Sequence, residues 1–418
     1  MLRVASASFV GSLIEFYDFI IYGVAAALVF GKVFFPALGT AAATVAAFAT
    51  LGVAFIARPV GSVIFGHFGD KLGRKRTLVI TLLMMGFATV AVGLLPTADQ
   101  IGVAAPIILV ALRIIQGLAA GGEWAGAALF VTENSPKAKR GFWATAGPLG
   151  GGFGAVLAPL TFLLAGLVLT DEQFMSFGWR IPFVSSIVLI AVGLYIRLAM
   201  EETPVFAAEK TSGLSRVPLL EAVKCQPKEI ILASGAVILS PTFGYLGAAY
   251  LVHYGAEELH LGRSPVLLLS GLGALALCFG VVFGGAYSDR VGRRRVLIGA
   301  GACGVVWALV LFPILDIGAT WTFAVGIGIT MLIAGVALGP VSAMMSELFQ
   351  TRYRYTAAGL SYNITQIIAG GIMPLLAAWI VASFGGFAFG LALAALALTS
   401  VLSAVTLKET KDLEMNRA

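Results

Sequence analysis

One short pattern occurs twice in this sequence, once in each half. Residues 66–76 and 285–295 both contain Gly-x-x-x-Asp followed by a basic turn with Gly-Arg, and each lies between two long apolar segments. Asp289 follows Asp70 by 219 positions, which is about half of the 418 residues. The same helical hairpin is therefore predicted at corresponding places in both halves, and the chain is predicted to contain an internal repeat.

The residues of this pattern suit a loop at a membrane surface. Gly73 and Gly292 allow a tight turn between two helices. The lysines and arginines cannot enter hydrocarbon, so we expect them to hold the loop on the cytoplasmic side. Asp70 and Asp289 can cap the N-terminus of a neighbouring helix or pair with an arginine, forming a latch that opens when the two halves move. The alternative is a plain topology signal. To the latch we also assign the arginines four residues after each aspartate, Arg74 and Arg293.

Composition excludes an ordinary soluble protein. Hydrophobic residues make up 59% of the chain and charged residues 11%, against roughly half and a quarter in soluble domains. Because one membrane-spanning helix takes about 20 apolar residues, the chain has room for twelve. The fold class predicted is an all-α membrane protein with two pseudo-symmetric six-helix bundles. The spans are expected near residues 4–30, 41–68, 78–97, 103–132, 142–168, 179–200, 229–253, 264–287, 295–316, 320–346, 355–382 and 384–407.

A polar segment between the sixth and seventh spans divides the chain. Residues 201–228 are rich in charge and proline and are predicted to form a cytoplasmic linker with a short surface helix. Residues 1–200 then form the first bundle, residues 229–407 the second, and residues 408–418 a short cytoplasmic tail. Repeated bundles with a binding site at their interface are typical of secondary transporters.

The distribution of the 27 lysines and arginines supports this topology. In the predicted topology, only Lys32, Arg180 and Arg263 fall in loops on the opposite side, and Arg58 and Arg113 lie within spans. Both termini are therefore predicted to be cytoplasmic. The net charge of +6 is an orientation signal, and nothing indicates nucleic-acid binding. The first span ends without a small-residue cleavage site, so no cleavable signal peptide is expected.

Cysteines and histidines offer no metal or cofactor chemistry. Cys225, Cys278 and Cys303 show no paired spacing and are expected to be buried small hydrophobic residues. The three histidines share no metal-like spacing, so neither a metal nor a cofactor is expected. The chain also lacks the nucleophile–base set of an enzyme and the repeated rings of a channel. No feature indicates an oligomer, and we expect a functional monomer.

Ionisable residues inside a span are rare and usually functional. In the first span Glu15, Asp18 and Tyr22 share one helix face, and Tyr17 is adjacent. Burial favours a neutral Asp18 and a nearby cation favours the carboxylate, so its protonation depends on its surroundings. We predict that Asp18 or its neighbour Glu15 couples transport to protons, while the two tyrosines contact substrate. A helix–helix hydrogen bond is the structural alternative for Asp18.

Arg113 lies deep in the fourth span, where its planar guanidinium can bind a carboxylate through two hydrogen bonds. We predict that Arg113, with Gln116, binds the carboxylate of a small-molecule substrate; permanent pairing with Asp18 or Glu15 is the alternative. Glu123 is interpreted as a gate or a helix–helix contact. Arg58, which precedes Pro59, is assigned a structural or gating role.

The second half contains no buried charge that corresponds to Arg113. Polar aromatic and amide side chains occur there instead, and they suit the hydroxyl or carbonyl groups of a substrate. The candidates on the seventh and eleventh spans are Tyr245, Tyr250, Asn363 and Gln366.

Several motifs resemble those of a known family: residues 15–19 with 22–23, residues 58–59 leading into 66–70, residues 113–117 with 121–124, residues 179–183, and residues 202–206. Over essentially its whole length the chain resembles the metabolite:proton symporter family of the major facilitator superfamily. Through residues 170–174 and 353–355 it is most similar to the shikimate transporter branch. The resemblance implies the major facilitator fold, a bacterial inner membrane, and proton-driven import of a hydroxylated cyclic monocarboxylate by alternating access.

One segment departs from the family pattern. Residues 147–152 read Gly-Pro-Leu-Gly-Gly-Gly, where relatives tend to carry a glutamine near Pro148. This run also resembles a motif of exporters in the superfamily, and a closely packed glycine face is the simpler interpretation. The first alternative function is uptake of a zwitterionic osmolyte such as proline or betaine, and drug:proton antiport is the second.

Overall fold

The computed structural model describes residues 1–199, 218–261 and 263–415. Eleven helices of these residues are long and apolar enough to cross a membrane. Large apolar side chains, such as Phe87 and Phe279, cover their outer surface, as expected for contact with lipid. The helices of the first half are α1 (Leu2–Ala25), α2 (Thr40–Leu72), α3 (Arg74–Leu94), α4 (Ala104–Asn134), α5 (Ala146–Val168) and α6 (Ile181–Leu198).

The second half repeats this order with more interruptions. Its seventh helix, α7, begins as Pro227–Val237 and continues as Leu239–Tyr245. The other helices are α8 (Arg263–Val291), α9 (Arg293–Leu315), α10 (Thr320–Leu338), α11 (Arg354–Gln366) and α12 (Ser383–Thr406). A short helix, Val341–Leu348, continues α10 towards the end of the molecule that carries the repeated basic loops.

The predicted span 355–382 is the one that falls outside the eleven. It is present as α11, a π-helical turn at Ile367–Ile372, and the first part of the helical segment Met373–Thr406. Gly385 has a φ of 80° and bends this segment, a conformation that glycine adopts without strain. The bend lies close to the predicted boundary between the last two spans, and the chain accommodates twelve membrane-spanning elements.

Equivalent helix pairs pack against each other in the two halves. α2 packs along α4 and α3 along α6, just as α8 packs along α10 and α9 along α12. The halves meet mainly where α2 contacts α11 and where α5 contacts α8. This arrangement is the predicted pair of pseudo-symmetric six-helix bundles.

The glycine run of the fifth span forms a close helix contact. A Cβ atom added to Gly150 would collide with the carbonyl oxygen of Phe9, and one added to Gly151 would lie 2.9 Å from the ring of Phe16. Glycine therefore lets α5 approach α1 closely, as in other membrane helix pairs. The two repeated loops also need glycine, because Gly73 has a φ of 105° and Gly292 a φ of 107°.

Cys225 and Cys303 are exposed and Cys278 is partly exposed, so the prediction of buried cysteines is wrong. Periodicity identifies an apolar helix but does not say which of its faces turns outward.

Most of the predicted linker, residues 201–217, lies outside the described residues; its last part forms the helix Pro218–Cys225. The domain boundaries stay a prediction.

Candidate functional site

A small cavity lies among the helices of the first half, and four buried charged residues surround it. Glu15 and Asp18 come from α1, Arg58 from α2 and Arg113 from α4. All four residues are at most 6% exposed. The remaining lining residues are Phe19, Ala54, Met85, Gln116, Gly117 and Ala120.

Two of these charges form an ion pair. Arg58 Nη2 lies 3.4 Å from Glu15 Oε1, and both side chains are buried. The Arg58 guanidinium also lies 5.3 Å from the ring centres of Phe19 and Phe55. Arg58 is thus held by a carboxylate and two aromatic faces, which joins α1 to α2.

Arg113 is held differently. Its Nη1 donates a hydrogen bond of 2.8 Å to Gln116 Oε1, and its guanidinium lies 3.7 Å from the ring centre of Tyr22. Its Nε and Nη2 have no hydrogen-bond partner among the described residues. No ion pair joins Arg113 to a carboxylate in the described part of the chain. The predicted alternative of direct pairing with Asp18 or Glu15 therefore does not occur in this conformation.

Asp18 contacts α3 instead. Thr89 Oγ1 donates a hydrogen bond of 2.7 Å to Asp18 Oδ2, and Gln116 Nε2 donates one of 2.8 Å to Thr89 Oγ1. Asp18 Oδ1 has no hydrogen-bond partner among the described residues. The helix–helix hydrogen bond considered for Asp18 is present, and Thr89 is a site residue that sequence reasoning missed. A threonine in an apolar helix gives no signal of its own.

The two tyrosines of α1 point in different directions. Tyr22 lies beneath Arg113, and its hydroxyl is 2.6 Å from Thr50 Oγ1. Tyr17 donates a hydrogen bond of 3.0 Å to the carbonyl oxygen of Pro182, at α6. The structure thus brings Tyr22 and Gln116 together with Arg113. Tyr17 lies on the opposite side of α1 and contacts α6 instead.

The four candidates of the second half also separate. Tyr245 packs against Phe55, with ring centres 5.9 Å apart, and so adjoins the Arg58 environment. Gln366 is buried, and its Oε1 has no partner among the described residues. Asn363 Nδ2 donates to the carbonyl oxygen of Gly121 at 3.2 Å and therefore joins α11 to α4. Tyr250 packs instead on Phe389, with ring centres 5.3 Å apart.

The repeated basic loops lie at one end of the molecule, which we call the basic-loop end. Asp70 accepts hydrogen bonds from the backbone nitrogens of Tyr355 and Thr356, both at 3.1 Å, and from Thr356 Oγ1 at 2.9 Å. These nitrogens belong to the first turn of α11, where a carboxylate is favoured by the helix dipole. Arg74 Nη2 lies 3.8 Å from Asp70, so the cap and the arginine contact occur together.

Asp289 makes the equivalent contacts from the second half to the first. It accepts hydrogen bonds from the backbone nitrogens of Gly141 at 2.8 Å and Phe142 at 2.9 Å, in the short helix that precedes α5. Arg293 Nη1 lies 2.7 Å from Asp289. Each half therefore caps a helix of the other half, and the contacts on which the predicted latch depends are present.

Two further ion-pair sets, which sequence reasoning missed, join the halves beside these aspartates. Glu133 lies 3.4 Å from Arg74 and 3.3 Å from Arg354. The second set has Glu347 at 3.2 Å from Arg293 and 3.0 Å from Arg140. A signal was available: Glu347 follows Glu133, and Arg354 follows Arg140, by the same 214 positions. Comparing the two halves of the sequence at an offset of 214 would have identified these two glutamates and two arginines.

Glu123 does not bridge the halves. It forms an ion pair with Arg197 of α6 and accepts a hydrogen bond of 2.8 Å from Thr81 of α3. Of the two interpretations of Glu123, the helix–helix contact is the one the geometry matches.

The described part of the tail reaches the basic-loop end, where Glu409 accepts from the Arg293 backbone nitrogen at 2.9 Å and Thr410 Oγ1 donates to Glu347 at 2.8 Å.

Comparison with known proteins agrees with this architecture. The sequence model of the Major Facilitator Superfamily matches residues 8–374 and 235–416. The chain is 39% identical to the inner membrane metabolite transport protein YhjE of Escherichia coli K12, over 98% of this chain and 94% of that protein. It is 38% identical to the shikimate transporter of the same strain, over 98% of this chain and 95% of that protein. A proline/betaine transporter of that strain is 34% identical, over 98% of this chain and 84% of its own length.

Solved structures share the fold at lower sequence identity. The proton:xylose symporter XylE bound to 6-bromo-6-deoxy-D-glucose superimposes with a TM-score of 0.78 at 18% identity, over 99% of this chain and 97% of that one. The predicted major facilitator fold is therefore confirmed. The expectation that the protein is not an enzyme is confirmed by the family model and by the transporters to which the chain is similar. The chain is an integral membrane transporter that belongs to the Major Facilitator Superfamily.

Proposed function

We propose that the protein is a proton-coupled importer of a small organic acid and that Arg113 binds the acid's carboxylate. The observation that carries this proposal is the state of the Arg113 side chain: 1% exposed, with two nitrogen atoms that lack hydrogen-bond partners among the described residues. Buried donors without partners are costly. A carboxylate offers two acceptors in the geometry of a guanidinium fork, so it satisfies both nitrogens at once.

A hydroxylated cyclic acid, as in shikimate, is the favoured substrate class. The name of the 38%-identical relative supports it. The polar groups proposed to meet the ring hydroxyls are Gln116, Tyr245 and Gln366, with Tyr17, Tyr22, Tyr250 and Asn363 as further candidates. Gln366 has the strongest claim among those of the second half, because its buried Oε1 lacks a partner in the described residues.

Asp18 is the proposed proton site. Glu15, its rival, already pairs with Arg58, and a neighbouring cation stabilises the carboxylate form. Asp18 has no such ion pair among the described residues and can take up a proton without breaking one. Protonation would leave Arg113 as the cation without a countercharge in this cavity, and a substrate carboxylate would restore the balance.

Alternating access would require the basic-loop end to open and close. Opening would break the caps made by Asp70 and Asp289 and the two ion pairs that cross between the halves, Glu133–Arg354 and Glu347–Arg140. We assign gating to these residues, whereas Arg58 and Glu123 would hold helices of the first half together. In the proposed topology this end and both termini face the bacterial cytoplasm, and the transporter acts as a monomer.

A zwitterionic substrate such as proline is the second candidate. Its carboxylate would bind Arg113, and its ammonium group would donate to Asp18 Oδ1, which lacks a partner among the described residues. The 34%-identical proline/betaine transporter supports this alternative. A substrate of this type would compete with protonation of Asp18, whereas an organic acid would favour it.

Uptake into proteoliposomes tests the proposal. Labelled shikimate is offered with and without an imposed inward proton gradient, in competition with dehydroshikimate, protocatechuate, citrate, 2-oxoglutarate and proline. We expect gradient-driven accumulation that hydroxylated cyclic monocarboxylates inhibit and proline does not. Accumulation of proline alone would favour the zwitterion, and uptake insensitive to the gradient would contradict proton coupling.

A further inference from the structure

Arg113 and Asp18 are connected through two neutral side chains that lie on different helices. Arg113 Nη1 donates to Gln116 Oε1 at 2.8 Å, Gln116 Nε2 donates to Thr89 Oγ1 at 2.8 Å, and Thr89 Oγ1 contacts Asp18 Oδ2 at 2.7 Å. Thr89 Oγ1 also lies 3.0 Å from the carbonyl oxygen of Met85. From this chain we infer that Thr89 is a positioning residue whose hydroxyl transmits the protonation state of Asp18 to Arg113. The consequence for transport rests on the function proposed above.

Arg113, at one end of this chain of hydrogen bonds, determines the direction in which the bonds of Gln116 run. Arginine has only donors, so the oxygen of the Gln116 amide must face Arg113 and its NH₂ group must face Thr89. The Thr89 oxygen therefore accepts from Gln116. Its single proton remains for one of two acceptors, Asp18 Oδ2 or the Met85 carbonyl oxygen.

Each protonation state of Asp18 selects one of these acceptors. An ionised Asp18 is the stronger acceptor, so the Thr89 hydroxyl donates to it. A protonated Asp18 has its own O–H to donate, and the second lone pair of the Thr89 oxygen can receive it. The Thr89 proton then turns to the Met85 carbonyl, by rotation about one C–O bond. All hydrogen bonds of the chain are satisfied in both states.

The change reaches Arg113 through the polarity of the chain. With Asp18 ionised, every bond donates in the same direction, from the guanidinium to the carboxylate, and such chains strengthen each bond cooperatively. With Asp18 protonated, both neighbours donate towards Thr89 and this polarisation is lost. Gln116 then holds Arg113 Nη1 less strongly, so the guanidinium turns its Nε and Nη2 more readily towards a substrate carboxylate. By reciprocity, a bound carboxylate favours protonation of Asp18.

Other charged or titratable groups surround Asp18 and define what the chain adds. Glu15 lies on the same helix, Arg58 on α2 and Arg113 on α4, all lining the same cavity. Tyr17 and Tyr22 flank Asp18 on α1, and Tyr245 of α7 packs on Phe55, whose ring contacts Arg58. Their charges act on Asp18 whether or not Thr89 is present. The contribution of Thr89 is therefore measurable as the part of the coupling that disappears with its hydroxyl.

Infrared difference spectroscopy of the purified full-length protein tests this role without any substrate. The band of the protonated Asp18 carboxyl group is identified by its loss in Asp18→Asn as the pH is varied. In Thr89→Val we expect this C=O band to change frequency and to titrate at a different pH, because a hydrogen-bond partner has gone. Thr89→Ser, which keeps the hydroxyl, should restore both properties. If Thr89→Val cannot be purified, Thr89→Ala makes the same test.

Thr242 of α7 provides a matched control. It is buried, and its hydroxyl donates to the carbonyl oxygen four residues earlier, that of Ile238, at 2.7 Å. Thr242→Val should leave the Asp18 band unchanged. An Asp18 band that is the same in Thr89→Val as in the wild type would overturn the inference, and so would the absence of any band that depends on Asp18.

A binding measurement adds the transport consequence. The ratio of shikimate dissociation constants at alkaline and acidic pH measures the coupling factor, typically about 5- to 150-fold between linked sites. We expect Thr89→Val to reduce this ratio at least about threefold and Thr89→Ser to preserve it. An unchanged ratio in Thr89→Val would refute the transmission to Arg113. If the wild type binds no organic acid at all, the proposed function fails, while the infrared result still decides the role of Thr89 towards Asp18.

Discussion

The two halves of the molecule are alike at the basic-loop end and different around the cavity. At the basic-loop end each half contributes an aspartate that caps a helix of the other half and a glutamate that binds two arginines. Thr132 and Ser346, which differ by the same 214 positions, also meet there at 2.8 Å. Around the cavity, by contrast, all four buried charges come from the first half.

This difference separates two tasks. Closing the basic-loop end brings two similar bundles together, so a contact that suits one repeat also suits the other, and the duplicated sequence is retained. Under the proposed function, binding a small acid and a proton requires a cation and a titratable group, which only one half has to supply. The second half would then contribute neutral groups, Tyr245 and Gln366, whose burial costs less than that of a charge. Substitutions in each region test this division.

Arg113→Lys should have the largest effect. An ammonium group cannot reproduce a two-bond contact with a carboxylate, and charge-assisted hydrogen bonds contribute about 1.5–3 kcal/mol each, so kcat/KM for uptake should fall about 100-fold or more. Arg180→Lys is the control, since Arg180 donates to the backbone oxygens of Gly93 and Leu95 and lies outside the proposed site. The measurement is the uptake kinetics of the two purified variants. Wild-type affinity in Arg113→Lys would exclude carboxylate binding by this residue.

Gln366→Leu should have a smaller effect, on substrate affinity. If Gln366 contacts a hydroxyl group of the substrate, its loss removes about one neutral hydrogen bond and raises KM roughly 10-fold at little change in kcat. Thr365→Val serves as its control, because the Thr365 hydroxyl donates to the backbone oxygens of Ser234 and Ser361. Equal KM values for Gln366→Leu and the wild type would remove Gln366 from the site.

The two latch aspartates should affect the rate of transport more than binding. Asp70→Asn and Asp289→Asn each weaken a helix cap, so the state closed at the basic-loop end becomes less populated and turnover slows, by about 5- to 20-fold. Asp70 accepts three hydrogen bonds from α11 and is the more buried, so its substitution should slow transport more. Substrate binding should stay within about twofold of the wild type in both variants. A loss of binding with an intact conformational cycle would contradict the latch.

Thr410→Val should have the smallest effect. Its hydroxyl donates to Glu347, which already binds Arg293 and Arg140. Removing one hydrogen bond among several around a carboxylate should change the transport rate about twofold or less. A tenfold loss of rate, measured beside Asp289→Asn, would instead show that the tail is an essential part of the latch at the second repeat.

Much of the fold could be predicted from the sequence, because long apolar segments, basic loops and a repeat offset are properties of the chain itself. That Glu15, Asp18 and Arg113 need polar surroundings also follows, since charges in a membrane span are costly. That Arg58 joins them around one cavity was not predicted and depends on how the helices pack. The link between Asp18 and Arg113 through Thr89 does not follow. Thr89 lies 71 positions from Asp18, and whether its hydroxyl contacts a carboxylate depends on how α3 packs against α1.

The same limit explains why residues of one predicted set are separated in the structure. Tyr17 and Tyr22 both lie on α1, yet one contacts α6 and the other Arg113. Cys303 lies in an apolar helix but is exposed. Helix periodicity identifies a face, and only the packing of neighbouring helices determines what that face meets.

Comparing uphill uptake with exchange in Asp18→Asn tests the central claim most directly. An amide cannot take up a proton, so accumulation driven by a pH gradient should disappear, whereas counterflow of labelled shikimate should persist because Arg113 still binds the carboxylate. Glu15→Gln is measured in parallel, since Glu15 pairs with Arg58 and is expected to keep gradient-driven accumulation. Full accumulation by Asp18→Asn together with its loss in Glu15→Gln would contradict the account and assign the coupling carboxylate to Glu15.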